Sequence, residues 1–154
     1  MPHNVHDTFV LVRRYPKPPR TVFAALADPA KKRRWLTDGK SHDVEAFESD
    51  FRVGGAERAR YRMNAATPFP GALLTSDGIH FDIVPDSRVV IASSMAMDGR
   101  VFSVALCTFA LAPSADGGSE LTFTHQGAFF EGADGPQMRR QGWSDLLDRL
   151  GVAA

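Results

Sequence analysis

Two side chains that could take part in chemistry are His125 and Cys107. In the stretch ELTFTHQG, His125 shares its strand parity with Leu121 and Phe123. If those two residues face the core, the imidazole does too, and a buried imidazole can act as an acid, a base or a ligand contact. A hydrogen-bonded structural histidine is the interpretation that we favour, because no spacing identifies a partner carboxylate.

The role of Cys107 depends on the register of its strand. Pairing Leu111 with Leu121 would place Cys107 opposite His125, and a Cys–His pair is a recognisable nucleophile arrangement. If the register is set instead by the tight turn at Asp98-Gly99, the opposite face of this strand is expected to pack against the core. A bulge between residues 102 and 108 would reconcile the two registers. We expect a buried thiol that behaves as a small hydrophobic side chain.

A second histidine, His80, lies two residues before Asp82, so the two could share one strand face and contribute two metal ligands. No third ligand is placed near them, and we predict a solvated outer face for both. Ile79, Phe81 and Ile83 are then expected to face the core. No phosphate-binding glycine loop, Ser-His-Asp order or HExxH motif occurs, so neither a metal nor a cofactor is expected.

Arginines alternate along AERARYRM at positions 58, 60 and 62, while Tyr61 and Met63 take the opposite face. The row could bind phosphate, but 18 basic residues are balanced by 18 acidic ones. We therefore predict a charged outer face that opposes aggregation, and no nucleic-acid partner. Aromatic and Met side chains on the inner face would suit apolar ligands. The predicted lining residues are Trp35, Tyr61, Met63, Phe81, Met95, Phe123, His125 and Trp143.

The elements that position these side chains are expected to form one domain over residues 1–154. A chain of 154 residues with 44% hydrophobic positions can bury one core without disulfides or a structural metal. A single cysteine indicates a reducing compartment. No cleavable leader and no apolar run of about 20 residues is seen. The sequence therefore predicts a cytoplasmic location and no membrane partner.

The order of elements predicts an antiparallel meander. A first strand is expected over residues 7–14, followed by two short helices up to Trp35. From Ser41 onwards, runs of period two alternate with turn signals, and no helix separates them. Six or seven strands in one antiparallel sheet are the expected result.

The last helix is the clearest element in the sequence. Asp134 is a candidate cap, Gly151 follows the expected end, and apolar residues from Trp143 to Leu150 repeat at helical spacing. Gly142 lies on or beside this apolar face. It marks either a close approach of the helix to the sheet or a space, and close approach is the interpretation that we favour.

Five segments occur in an order that resembles a known family: RRYPKPPRTVFAALADPAKKRRW, ESDFRVGG, GIHFDIVPDSRVV, LTFTHQGAFFEG and GWSDLLDRLG. The sequence resembles the AHSA1-like branch of the START/Bet v 1 superfamily (SRPBCC), named for the C-terminal domain of the Hsp90 ATPase activator. The resemblance implies an α+β helix-grip fold, in which a curved antiparallel sheet wraps a long C-terminal helix and two short helices follow the first strand. It also implies a cavity between sheet and helix that commonly holds an apolar ligand.

Three functions follow from this resemblance. We expect non-catalytic binding of a small hydrophobic molecule in the cavity, with the physiological ligand unidentified. The alternatives are a cyclase, dehydratase or hydrolase-type enzyme with His125 as acid or base, and a chaperone-associated module like the Hsp90 activators. The enzyme would require His125 to open into the cavity beside a second polar group. Both faces of VFSVALCTF and RVVIASSMAM are apolar, which predicts a homodimer through the uncovered sheet face.

Overall fold

A seven-stranded antiparallel sheet curves around the C-terminal helix in the computed structural model, which describes residues 4–154. The strands are β1 (Val5–Tyr15), β2 (His42–Ser49), β3 (Ala56–Met63), β4 (Leu73–Val84), β5 (Arg88–Met97), β6 (Arg100–Pro113) and β7 (Ser119–Phe129). The helices are α1 (Pro19–Ala27), α2 (Pro29–Lys32), a π-helical turn (Arg33–Thr37) and α3 (Pro136–Ala153). The strand order is β1-β7-β6-β5-β4-β3-β2. The expected helix-grip fold is confirmed, and residues 1–3 of the expected domain lie outside the described residues.

The C-terminal half of α3 is anchored in the main core. Leu147 and Leu150 are fully buried. The hydroxyl of Tyr15 on β1 donates a 2.7 Å hydrogen bond to the carbonyl of Leu147. In contrast, Trp143 in the N-terminal half of α3 is only partly buried against the same core. The apolar packing of α3 against the sheet is therefore tighter in its C-terminal half than in its N-terminal half.

Both registers considered for the strand of Cys107 are present, because a bulge separates them. Leu111 pairs with Leu121, so Cys107 lies opposite His125. The tight turn between β5 and β6 also pairs as expected, but the register shifts at Phe102, which has no partner on β5. The sequence predicts the bulge between residues 102 and 108, and it lies at residue 102. As a result, the side chain of Cys107 faces the core.

A second bulge corrects the prediction for β4. His80 pairs with Ile91 and Asp82 pairs with Val90, which leaves Phe81 without a partner. His80 is fully buried, whereas Phe81 is 59% exposed. The prediction of a solvated His80 is wrong, and so is that of an inward Ile79 and Phe81, since Ile79 is exposed too. The reason is the bulge, because it places on opposite faces His80 and Asp82, which a regular strand would keep on one face. Asp82 does lie outward, as predicted.

The arginine row of β3 forms the charged outer face that the sequence predicts. Arg60 donates to Asp77 at 2.9 Å, and Arg62 contacts Glu45 at 3.1 Å. Arg58 is the most exposed of the three side chains. These contacts between β2, β3 and β4 satisfy the guanidinium groups within the sheet's outer surface.

The ends of α3 differ from the prediction in two respects. Gly135, with a φ of 86°, stands at the N-cap, and Asp134 contacts Arg139 instead of capping the helix. Gly151 lies inside the helix, where an added Cβ would be 2.7 Å from the ring of Tyr15. Gly142 has nothing within 4 Å of an added Cβ. The close-approach interpretation of Gly142 is therefore wrong, and space is left there.

Candidate ligand-binding cavity

A cavity of about 210 Å³ lies between the inner face of the sheet and the N-terminal half of α3. An engineered apolar cavity of roughly 150 Å³ holds benzene, so this space has room for a ligand of one to two rings. The lining residues are Lys32, Leu36, Phe47, Glu57, Ala59, Tyr61, Ser76, Ile91, Ser93, Met95, Ala105, Cys107, Phe109, His125, Asp134, Met138, Arg139, Gly142, Trp143 and Leu146.

The floor of the cavity exists because four adjacent strands present small side chains inward. Ala59 on β3 pairs with Ser76 on β4, and Ser93 on β5 pairs with Ala105 on β6. All four line the cavity. Larger side chains at these positions would reach towards α3 and fill the space, as side chains do in ordinary protein interiors.

The roof is formed by α3 and supported by aromatic side chains. Trp143 lies over the sheet with its ring centroid 4.4 Å from that of Phe123 and 5.9 Å from that of Phe109. Met138, which is 67% exposed, lies on the same helix side as Gly142 at i, i+4. These two residues mark the solvent-facing rim of the cavity.

Half of the predicted lining residues lie at the cavity wall. These are Tyr61, Met95, His125 and Trp143. Tyr61 lies inward on β3, as its parity predicts, and its ring is edge-on to His42 at 4.7 Å. Burial raises the pKa of the Tyr61 hydroxyl, so this group stays protonated and can act as a hydrogen-bond donor.

The other four predicted lining residues lie elsewhere. Trp35 is 1% exposed and donates its indole N–H to the carbonyl of Ala25 at 2.8 Å, so it packs inside the core. Phe123 is fully buried beneath Trp143, and Met63 packs beside Tyr61 at the end of β3. Phe81 lies on the outer face because of the β4 bulge. The prediction that these side chains contact the cavity is wrong.

His125 belongs to a buried polar cluster at one end of the cavity. Its Nε2 lies 3.4 Å from a guanidinium nitrogen of Arg139, and its ring stacks on Phe9 at 4.6 Å. Arg139 donates two hydrogen bonds to Asp134, at 2.7 and 2.8 Å, and a third to Ser103 at 2.8 Å. No sequence pattern marks Arg139 as a cavity residue, because an arginine on a helix is usually exposed.

Burial and the neighbouring positive charge decide the protonation of the two candidate nucleophile and base groups. Burial, and to a smaller extent the neighbouring Arg139 guanidinium, together lower the pKa of His125 to about 4. Burial raises the pKa of the Cys107 thiol to about 12. At neutral pH the imidazole is therefore an uncharged weak base and the thiol is protonated, which matches the expectation of an inert buried cysteine.

A second buried polar cluster lies on another part of the wall. Nζ of Lys32, at the end of α2, is 2.7 Å from Oε1 of Glu57 on β3, and both side chains line the cavity. The Lys32 side chain is only 3% exposed. Ser49 donates to the same oxygen at 3.1 Å, and His80 Nε2 lies 4.0 Å from it. The parity of β3 placed Glu57 on the inner face, but nothing in the sequence marked Lys32 as its partner.

The polar residues do not form a metal site. Within residues 4–154, no group of three or more His, Cys, Asp and Glu side chains is placed to hold a metal ion.

The fold and the cavity define a helix-grip domain, and similarity to known proteins gives its family. The model for "Activator of Hsp90 ATPase homolog 1-like protein" matches residues 16–154, and the chain belongs to this family. None of the curated proteins matches the sequence.

Solved structures with the same fold come from several bacteria. The Mll3558 protein from Rhizobium loti is 40% identical, with a TM-score of 0.86 over 99% of both chains. A putative uncharacterized protein from Rhizobium leguminosarum is 30% identical, with a TM-score of 0.89 over 99% of this chain and 97% of that one. The CV1439 protein from Chromobacterium violaceum is 26% identical, with a TM-score of 0.78 over 94% of each chain. These likenesses support the helix-grip fold along nearly the whole chain.

Proposed function

We propose that this domain binds a small hydrophobic molecule, without transforming it, in the cavity between the sheet and α3. The observation that carries the proposal is the cavity of about 210 Å³ above a floor of small side chains. Protein interiors are close-packed, and voids larger than a water molecule are few. A space of this size that is walled mainly by apolar side chains is therefore best explained by a ligand that fills it.

The state of His125 favours binding over acid–base catalysis. A general base works best when its pKa lies near the working pH, and the pKa of His125 is about 4. Its nearest polar contact in the cavity is the cation of Arg139, at 3.4 Å. A neighbouring cation opposes protonation of the imidazole, whereas a base that accepts a proton during catalysis is usually stabilised by a carboxylate.

Naphthalene is a suitable probe, because its two fused rings suit the volume of the cavity. At ten times its dissociation constant, it should stabilise the protein by about 1.4 kcal/mol and raise the melting temperature by about 4 °C. Ala105→Leu extends a floor side chain into the cavity and should abolish this rise. Ala110→Leu is the matched control, because it makes the same change on the outer face of β6 and should leave the rise intact.

Two results would overturn the proposal. One is a melting temperature that naphthalene does not change in the unsubstituted protein, with no heat of binding in calorimetry. The other is an equal rise in the Ala105→Leu and Ala110→Leu variants, which would place the probe outside the cavity. Circular dichroism of both variants checks that each retains the folded sheet.

A homodimer through the outer sheet face stays a prediction, as do the single domain over residues 1–154 and the cytoplasmic location. The outer face carries half-exposed Val10, Val12 and Val104, which a second copy could cover. Light scattering at micromolar concentration tests this, and a mass near 16.8 kDa would contradict it. No helix within residues 4–154 combines the length and composition of a membrane-spanning segment.

A further inference from the structure

Resting on the proposed function, we infer that the cavity selects an uncharged apolar alcohol or phenol, whose hydroxyl group binds between Lys32 and Glu57. Three features of the Lys32–Glu57 pair indicate this class of ligand: its unused hydrogen-bonding capacity, an unpartnered nitrogen beside it, and its net charge.

The Lys32–Glu57 pair retains hydrogen-bonding capacity at the cavity wall. An ammonium group has three donors, and within residues 4–154 the polar contact of Lys32 Nζ is the one at 2.7 Å with Glu57 Oε1. The contacts from Lys32, Ser49 and His80 all go to Oε1 of Glu57. Oε2 makes none of them. One hydroxyl group can accept from Lys32 Nζ and donate to Glu57 Oε2, which meets both needs with a single ligand atom.

His80 is adjacent to the Lys32–Glu57 pair but is not one of the residues that line the cavity. It is fully buried, and its Nδ1 lies 3.0 Å from the carbonyl oxygen of Gly55. A carbonyl can only accept, so Nδ1 carries the proton in this contact. Nε2 has no hydrogen-bond partner and lies 4.0 Å from Glu57 Oε1. A buried polar atom without a partner is rare in proteins, and here it stands beside the Lys32–Glu57 pair.

The net charge of the pair determines which head group fits. Lys32 and Glu57 neutralise each other at 2.7 Å, so a charged head group would enter the cavity without a counter-charge. Burying an unpaired charge is far more costly than burying a hydroxyl group that forms hydrogen bonds. A ligand carboxylate or amine is therefore disfavoured, whereas a neutral hydroxyl group is accepted.

The other polar cluster is less suited to this role. Asp134 uses both carboxylate oxygens to accept from Arg139, and Arg139 also donates to Ser103. These groups already satisfy one another across the loop before α3. The cluster at His125 therefore holds the end of the cavity in shape, and the Lys32–Glu57 pair is the one with capacity for a ligand.

The experiment compares three probes of similar shape at pH 7: naphthalene, 1-naphthol and 1-naphthoate. Isothermal calorimetry and melting-temperature shifts are expected to show 1-naphthol binding at least about tenfold more tightly than naphthalene. Naphthoate is expected to bind more weakly than naphthalene. Equal affinity for naphthol and naphthalene, or tightest binding of naphthoate, would overturn the inference while leaving the proposed function in place. If neither naphthalene nor naphthol binds, the proposed function itself fails.

The double variant Lys32→Met/Glu57→Met removes both charges and both hydrogen-bonding groups together, so no charge is left unpaired in the core. It should still bind naphthalene and should lose the preference for naphthol. Arg62→Met/Glu45→Met is the matched control, because it removes an ion pair of the outer face and should keep the preference. A preference that survives in Lys32→Met/Glu57→Met would overturn the inference. If that variant does not fold, the comparison of probes on the unsubstituted protein still decides the matter.

Discussion

Adding one methyl group at two glycines of α3 should change stability in opposite directions. Gly142→Ala places a Cβ where nothing lies within 4 Å. Gly151→Ala places one 2.7 Å from Cε1 and 2.9 Å from Cδ1 of Tyr15. Both changes raise intrinsic helix propensity by about 1 kcal/mol. Only at Gly151 must a buried ring move to make room.

The magnitudes follow from these contacts. Gly142→Ala should gain about 1 kcal/mol, or about 3 °C in melting temperature for a domain of this size. At Gly151, displacement of Tyr15 costs about 1 to 3 kcal/mol for overpacking. Weakening its 2.7 Å hydrogen bond to Leu147 adds about 1 kcal/mol. After the propensity gain, the net loss at Gly151 is about 1 to 3 kcal/mol.

Urea unfolding followed by circular dichroism measures both changes. The Tyr15→Leu background provides a check, because a smaller side chain should relieve much of the loss caused by Gly151→Ala. Stabilisation by Gly151→Ala, or destabilisation by Gly142→Ala, would refute the assignment of a packed end and an open end to α3.

Three further outcomes are expected. The pKa of His125 is lowered to about 4, so between about pH 6.5 and pH 4 the imidazole is protonated in the unfolded chain but not in the folded one. The free energy of unfolding should therefore fall by up to about 3 kcal/mol as the pH is lowered over that range. His125→Gln should remove this part of the pH dependence in urea titrations. Cys107 should react with a thiol reagent at pH 8 about a thousandfold more slowly than in the urea-unfolded chain, and comparable rates would contradict its burial. Trp143→Ala should cost about 2 to 4 kcal/mol, because it removes the ring contacts with Phe109 and Phe123; an unchanged urea midpoint would contradict this.

The sequence predicts much of the fold, because strand alternation and turn residues act locally. The parity of β3 correctly separates the three arginines from Tyr61. The pairing of Cys107 with His125 follows from a single turn and a regular strand. The alternation of inward and outward side chains fails at the bulge in β4. There the unpaired Phe81 reverses which of the following residues face the core. Phe81 is apolar, so a prediction from hydrophobicity alone places it in the core, whereas it lies on the outer face of the sheet.

The cavity is harder to predict, because it depends on the absence of large side chains at several positions that are far apart in the sequence. Large apolar side chains such as Phe123 and Trp35 satisfy every sequence criterion for a lining residue, and they pack inside the core instead. The floor depends on small residues such as Ser93 and Ala105, which carry no distinctive signal in a single strand. The pairing of Lys32 with Glu57 joins a helix to a strand 25 positions away in sequence, and no local pattern shows it.

The four floor residues also determine how easily the volume of the cavity can change. Ala59, Ser76, Ser93 and Ala105 lie within regular strands, where the backbone is held by neighbours on both sides. A substitution at any of them alters the volume above the floor while the hydrogen-bonded ladder stays the same. If the domain binds a ligand as proposed, a single substitution at one of these positions would change the length or shape of the molecule that fits, without a change in the backbone.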